Sequence, residues 1–408
     1  MQRNTGSNKR GFTFIELMVS LALGMLVVGS AIKLFSQGVD ATWVVSQRAE
    51  LQQDLRAVQI MLQKDISMAG AGLPSGQGVA LASGTGTSPI YGCDQTGTAA
   101  GCPPNGGPKY PCSSLTGTCI PTLYGIIPGY QLGITPPGST VKTDLITVTY
   151  SDPLLMINCY QVAVTSATSA TFTGPPAPGP PPSTWTPTCS LPASLTLPQS
   201  LNDPVVGLQP GDLILFQGKI VNTVYAVGEV TKVTGSYPTF TVTFASGDAL
   251  KMNQPGANND LSLFAPGVPA GNPGSPVASN VANRLEVITY YLKNIADPSG
   301  ATTGITVLYR QINGQTAVPL SDNVINMQFT YDTYDTSGDL LNQTGDGGES
   351  LGVSLNLIRK INIAHLTIRS QSAGTRTSLM ATQGYQGYDI QTSISARNLS
   401  YQNRYPTN

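Results

Sequence analysis

An α+β fold is predicted, with one long N-terminal helix packed on antiparallel β-sheet and further β-rich and loop-rich regions inserted after it. Two patterns carry that prediction. Near the N-terminus the apolar residues first run together and then recur every three or four positions, which is helical spacing. From Asp144 onward the chain shows short β-branched and aromatic runs broken by turn residues, among them DLITVTY, DLILF, TFTVTF and RLEVITYYLKN. That is the pattern of antiparallel strands. With 44 glycines and 31 prolines in 408 residues, the loops between them are long.

The helix has two halves. No residue from 17 to 32 is charged. Counted from Phe12, the stretch is just long enough to cross a bilayer, which takes about 20 residues. Arg3, Lys9 and Arg10 precede it and form a basic flank expected to stay cytoplasmic. Farther on, Leu51, Leu55, Val58, Leu62, Ile66 and Ala69 make one apolar stripe between polar residues such as Gln52, Asp54, Arg56 and Lys64. This half is amphipathic and has one face to bury. The helix is expected to run from about Phe14 to Ser67, roughly 80 Å, and to break at Gly70-Ala71-Gly72-Leu73-Pro74. Glu16 departs from the pattern. A carboxylate at the start of an apolar run is costly in a membrane and usually has a partner, although the helix dipole also favours a negative charge there.

Only 11% of the residues are charged, against about 25% in an ordinary soluble domain. The net charge is −1 and no basic run occurs, so nucleic acid is not an expected partner. Such a composition suits an extracellular, loop-rich protein better than a charged cytosolic enzyme. Six cysteines, Cys93, Cys102, Cys112, Cys119, Cys159 and Cys189, all fall in the first half of the chain. An even number in a loop-rich secreted chain suggests disulfides. Cys159, expected in a strand, and Cys189 form a candidate pair, and the connectivity is otherwise open. Zinc is disfavoured because no Cys-x-x-Cys occurs and the single histidine, His365, is far away in sequence.

The segment Gly11-Phe12-Thr13-Phe14-Ile15-Glu16, followed by Leu17-Met18-Val19 and preceded by the basic leader, resembles the N-terminal signal of type IV prepilins and pseudopilins. The resemblance implies that prepilin peptidase cuts between Gly11 and Phe12 and N-methylates Phe12. It further implies that Glu16, the fifth mature residue, pairs with the amino terminus of a neighbouring subunit during assembly. Other pilins, the peptidase and the inner membrane are then the partners. An ordinary secretory signal is the competing reading. Gly29-Ser30-Ala31 offers small residues to signal peptidase, which would leave Ile32 first. Glu16 inside the apolar run argues against it.

The chain divides by composition into a leader (1–11), the helix (12–69), a Cys/Gly/Pro-rich loop region (70–142), a β-rich subdomain (143–250), a linker or long loop (251–283) and a C-terminal β-rich region (284–408). The helix end Asp65-Ile66-Ser67-Met68-Ala69-Gly70-Ala71-Gly72 and the late Ser395-Ala396-Arg397-Asn398 resemble PilW-type minor pilins. The resemblance implies a minor pilin that primes or caps pilus assembly. A minor pseudopilin of a type II secretion system shares the same signal. An adhesin or surface-binding module carried by a pilus is the third reading.

No catalytic constellation is present. There is no Gly-x-Ser-x-Gly elbow and no phosphate-binding loop, so neither enzymatic activity nor a cofactor is expected. His365 lies in the alternating run Ile361, Ile363, His365, Thr367 and Arg369 and is read as structural. Asp332, Asp335 and Asp339, near Asp346 and Glu349, could offer oxygens to calcium, but their spacing does not match an EF-hand loop. A solvated hairpin tip is the favoured reading.

Overall fold

The structure, a computed structural model, describes residues 11–74, 78–81, 122–136, 140–152, 155, 157–174, 200–217, 225–248, 250, 252–253, 261, 281–296, 304–335, 337–345, 355–369 and 387–399. Two compact units divide the chain, one ending its first stretch at Asp54 and the other beginning at Leu55.

Helix α1 spans Phe14–Met68, within a residue of the predicted ends. In the first unit its apolar side chains are exposed, among them Leu17, Leu21, Leu26, Val28 and Ile32. In the second unit Leu55, Val58, Leu62, Ile66 and Ala69 are buried while Arg56 and Lys64 stay outside, as the amphipathic spacing requires. The helix stops at Gly70 and Gly72, both with positive φ, 77° and 71°. A side chain at Gly70 would collide with Leu399, and a Cβ at Gly125 would lie 2.9 Å from the Gly70 Cα. Gly70→Ala therefore combines a left-handed conformation with overpacking. It should lower stability by about 2–4 kcal/mol, read from the midpoint of chemical denaturation.

Seventeen described strands follow, and all the partners given for them in register run antiparallel. β1 (Val79–Ala80) pairs with β2 (Thr122–Leu123). β3 (Ile126–Gly129) pairs with β4 (Leu145–Ser151). β5 (Gln161–Ser166), β6 (Ser169–Thr173), β9 (Lys232–Ser236) and β10 (Thr239–Thr243) form a four-stranded sheet in the order β5-β6-β10-β9. β7 (Leu213–Gln217) and β8 (Tyr225–Glu229) join a seven-stranded sheet with β3, β4, β11 (Val281–Ile295), β12 (Ile305–Ile312) and β13 (Val318–Asp322). The long β11 is its spine. It pairs with β7 from Val281 to Leu285, with β4 from Leu285 to Tyr290, and with β12 on its other edge. This sheet thus takes strands from both the 143–250 and the 284–408 segments. β14 (Val324–Tyr334), β15 (Leu340–Gly345), β16 (Ile358–Arg369) and β17 (Gly387–Ser395) form a further sheet in the order β15-β14-β16-β17.

Asp144 ties these last two sheets together. Its backbone N–H donates to the Met327 carbonyl at 2.9 Å, and its carboxylate accepts from the Gln131 and Phe329 amides, each at 2.8 Å. Phe172, Phe216, Phe240 and Phe244 fill the core beneath the β5-β6-β10-β9 sheet.

Two sequence expectations change. Cys159 lies in a 3-10 turn, Ile157–Cys159, not in a strand. The strict alternation expected from Ile361 to Arg369 is also broken. Ile361 and Ile363 are buried, but so are Leu366 and Ile368, because a register shift opposite Gln328 and Phe329 inserts one residue. Such a bulge moves every later side chain to the other face, which puts His365 and Thr367 on the outer side.

Candidate functional site

Gly11 and Phe12 precede the helix and are exposed, Phe12 at 85%. Thr13 is the N-cap. Its carbonyl accepts the Leu17 amide at 3.2 Å, and its hydroxyl lies 3.4 Å from the Glu16 amide. Glu16 Oε2 in turn accepts from both the Thr13 amide and the Thr13 hydroxyl, each at 3.0 Å. Thr-x-x-Glu is a capping box: each end satisfies a backbone donor that the first helical turn leaves open. In the isolated subunit the Glu16 carboxylate is therefore held on its own helix start. Thr13 was missed as a functional residue in the sequence, although the spacing Thr13-Phe14-Ile15-Glu16 carries the signal. Thr13→Val removes the hydroxyl and keeps the branched shape. It should loosen the first turn, seen as faster amide exchange at residues 15 to 17.

Downstream of Glu16, α1 is long and apolar enough to cross a membrane, the one such helix among the described residues. At its other end a buried polar cluster gathers around Asp65, which is 1% exposed. Asp65 Oδ2 accepts from the Tyr290 hydroxyl at 2.5 Å and from Arg310 Nε at 2.8 Å. The Tyr150 hydroxyl lies 3.2 Å from Asp65 Oδ1 and 3.0 Å from Glu286 Oε2, with one proton to share between them. Burial, reinforced by the Asp65 charge, pushes both tyrosine hydroxyls above their ordinary range, so both stay protonated donors. One helical carboxylate is thus bonded to β4, β11 and β12. This fixes the rotation and height of the amphipathic half of the helix against the sheet. The C-terminal segment adds a weaker tie, Asn398 Nδ2 donating to the Met68 carbonyl at 3.4 Å.

Among the described residues, Asp332, Asp335 and Asp339 do not form one metal-binding group. Asp332 is 2% exposed and pairs with Lys360 Nζ at 3.3 Å and Asn362 Nδ2 at 3.0 Å. Asp335 builds the turn, its Oδ1 accepting the Ser337 and Asp339 amides at 2.9 and 2.8 Å. Among the described residues, no three His, Cys, Asp or Glu side chains are placed to hold a metal ion. Asp346 and Glu349 lie outside the described residues, as do Cys93, Cys102, Cys112, Cys119 and Cys189. Cys159 is disulfide-bonded.

His365 Nδ1 sits 2.9 Å from Asp389 Oδ2, and Thr367 donates to Asp389 Oδ1 at 2.7 Å, stapling β17 to β16. Burial raises the Asp389 carboxyl, but the bonds from Thr367, His365 and Gln391 outweigh it and leave it below the ordinary value. A depressed carboxyl adds stability above its unfolded value and loses it as the pH falls through the folded one. Asp389→Asn should therefore reduce stability at neutral pH and flatten the acid limb below about pH 4, measured by denaturation across pH.

The family signature described as the prokaryotic N-terminal methylation motif matches residues 6–32, which include Gly11, Phe12, Thr13 and Glu16. The chain is also similar to the pilin-like protein PilA3 of Thermus thermophilus, 33% identical over 63 residues. That match covers 15% of this chain and 27% of the relative, so it spans about a quarter of the relative's length. No solved structure matches the chain.

Proposed function

This chain being type IV pilin-like, we propose that it is a minor pilin of a type IV pilus that helps prime or cap assembly through its N-terminal helix. One observation carries the reading: an apolar, solvent-exposed helix that begins directly after Gly11-Phe12 and bears a single carboxylate, Glu16, in its first turn. An exposed apolar helix of this length needs lipid or other helices around it. Prepilin peptidase releases the Phe12 ammonium and methylates it. The inner membrane holds the subunit before assembly, and other pilins cover the helix afterwards. The soluble part then faces the periplasm or the cell exterior. Glu16 exchanges its Thr13 contacts for the amino terminus of a neighbour, since an unpaired carboxylate in a helix bundle is penalised and a facing ammonium removes the penalty.

The test is comparative. Deleting the gene should sharply lower the number of surface pili, and the chain should appear in sheared pili at far below the abundance of the main subunit. Unchanged piliation together with loss of a secreted substrate would favour a secretion pseudopilus instead.

A further inference from the structure

The residues that follow β17 close over the base of α1. Ala396 is fully buried, and its N–H donates to the Arg359 carbonyl of β16 at 3.0 Å. Two residues on, Asn398 Nδ2 reaches the Met68 carbonyl at 3.4 Å. Leu399 fills a notch between two glycines. A side chain at Gly70 would collide with it, and a Cβ on Gly125 would lie 3.3 Å from its Cδ2. At the same place the helix end joins β4. The Gly70 amide donates to the Thr149 carbonyl at 2.8 Å, and the Ala71 carbonyl accepts from the Ser151 amide at 2.7 Å. Residues 396–399 are thus a strap across the point where α1 enters the sheet.

The strand that carries the strap is lightly held. β17 lies at the edge of the β15-β14-β16-β17 sheet, and of its nine residues Ile394 alone is buried. Beyond the backbone ladder, its side-chain ties to β16 are polar. Asp389 meets His365 Nδ1 at 2.9 Å and the Thr367 hydroxyl at 2.7 Å, and the Ser393 hydroxyl donates to Asn362 Oδ1 at 2.7 Å. Segments with few buried apolar contacts open at low free energy and do so as contiguous units. The strap itself adds one buried methyl, on Ala396, and the half-buried Leu399. That is too little apolar surface to keep it seated once β17 has left β16.

We propose that β17 and residues 396–399 open as one unit, so that a surface edge strand controls how firmly the sheet grips the end of α1. Peeling β17 from β16 takes Asn398 off the Met68 carbonyl and Leu399 out of its notch. The turn at 70–73 is then uncovered and held only by its own backbone bonds and those to β4. Asp65, on the last turns of the helix, keeps its bonds to Tyr290 and Arg310. The loosening is therefore confined to the base of α1 and does not release the whole amphipathic half. This device lies within the folded body and holds whether or not the chain enters a filament.

Amide hydrogen exchange of the purified full-length protein in detergent tests the coupling. The double variant Asp389→Ala and Ser393→Ala removes the polar ties of β17 and touches nothing on α1. It should speed exchange about tenfold at Gly70 and Ala71 as well as along residues 388–394, and leave residues 287–290 of β11 unchanged. Leu399→Ala should speed Gly70 and Ala71 in the same way. Adding it to the double variant should add little, because both act on one opening. Faster exchange along β17 with Gly70 and Ala71 at the wild-type rate would overturn the proposal. So would equal acceleration at residues 287–290, which reports global unfolding, or multiplying effects of Leu399→Ala and the double variant.

Discussion

Asp65→Ala should destabilise the protein by about 3–5 kcal/mol, the cost of breaking a buried ion pair by removing one partner. Its carboxylate is the shared acceptor for Arg310 and for the Tyr290 hydroxyl, with Tyr150 alongside. Without it the Arg310 guanidinium, 19% exposed at its side chain, keeps its charge and loses its ion pair with Asp65. Asp65→Asn keeps the size but not the charge and should fall between Ala and wild type. Pairing Asp65→Leu with Arg310→Met removes both charges and should recover much of the loss, because well-packed apolar side chains often replace a buried ion pair without penalty. Denaturant midpoints of wild type, Asp65→Leu, Arg310→Met and the double variant, compared as a cycle, separate the pair interaction from general packing damage. Additive losses would mean that Asp65 and Arg310 stabilise the protein independently.

The second large effect is on assembly. Glu16→Ala and Glu16→Gln should both be processed and held in the inner membrane, yet enter sheared pili at least about tenfold less than wild type. Because Gln can still accept from the Thr13 amide and hydroxyl, Glu16→Gln should keep the first helical turn that Glu16→Ala loosens. A shared assembly defect with a different first-turn stability would assign the defect to charge. Equal incorporation of both variants with wild type would remove Glu16 from the assembly step.

How much of this was readable beforehand differs by residue. The helix ends were legible because Gly70 and Gly72 supply the positive φ that stops a helix, and the stripe from Leu55 to Ala69 is local. The Thr13–Glu16 box was equally local. Asp65 was visible only as one carboxylate beside an apolar stripe. Its partners Tyr150, Tyr290 and Arg310 lie 85, 225 and 245 residues away, and nothing in their local sequence marks them as neighbours. β3, four residues that include Pro128, offered no periodicity to find. The exchange of faces at His365 depends on a bulge, whose signature is the pairing with β14 and not the composition of β16.

Assembly through Phe12 and Glu16 requires that the mature chain begin at Phe12. Mass spectrometry of protein recovered from membranes should find Phe12 as the first residue, N-methylated, with residues 1 to 11 gone. A mature chain beginning at Ile32, or one that keeps Gly11 and the leader, would contradict it.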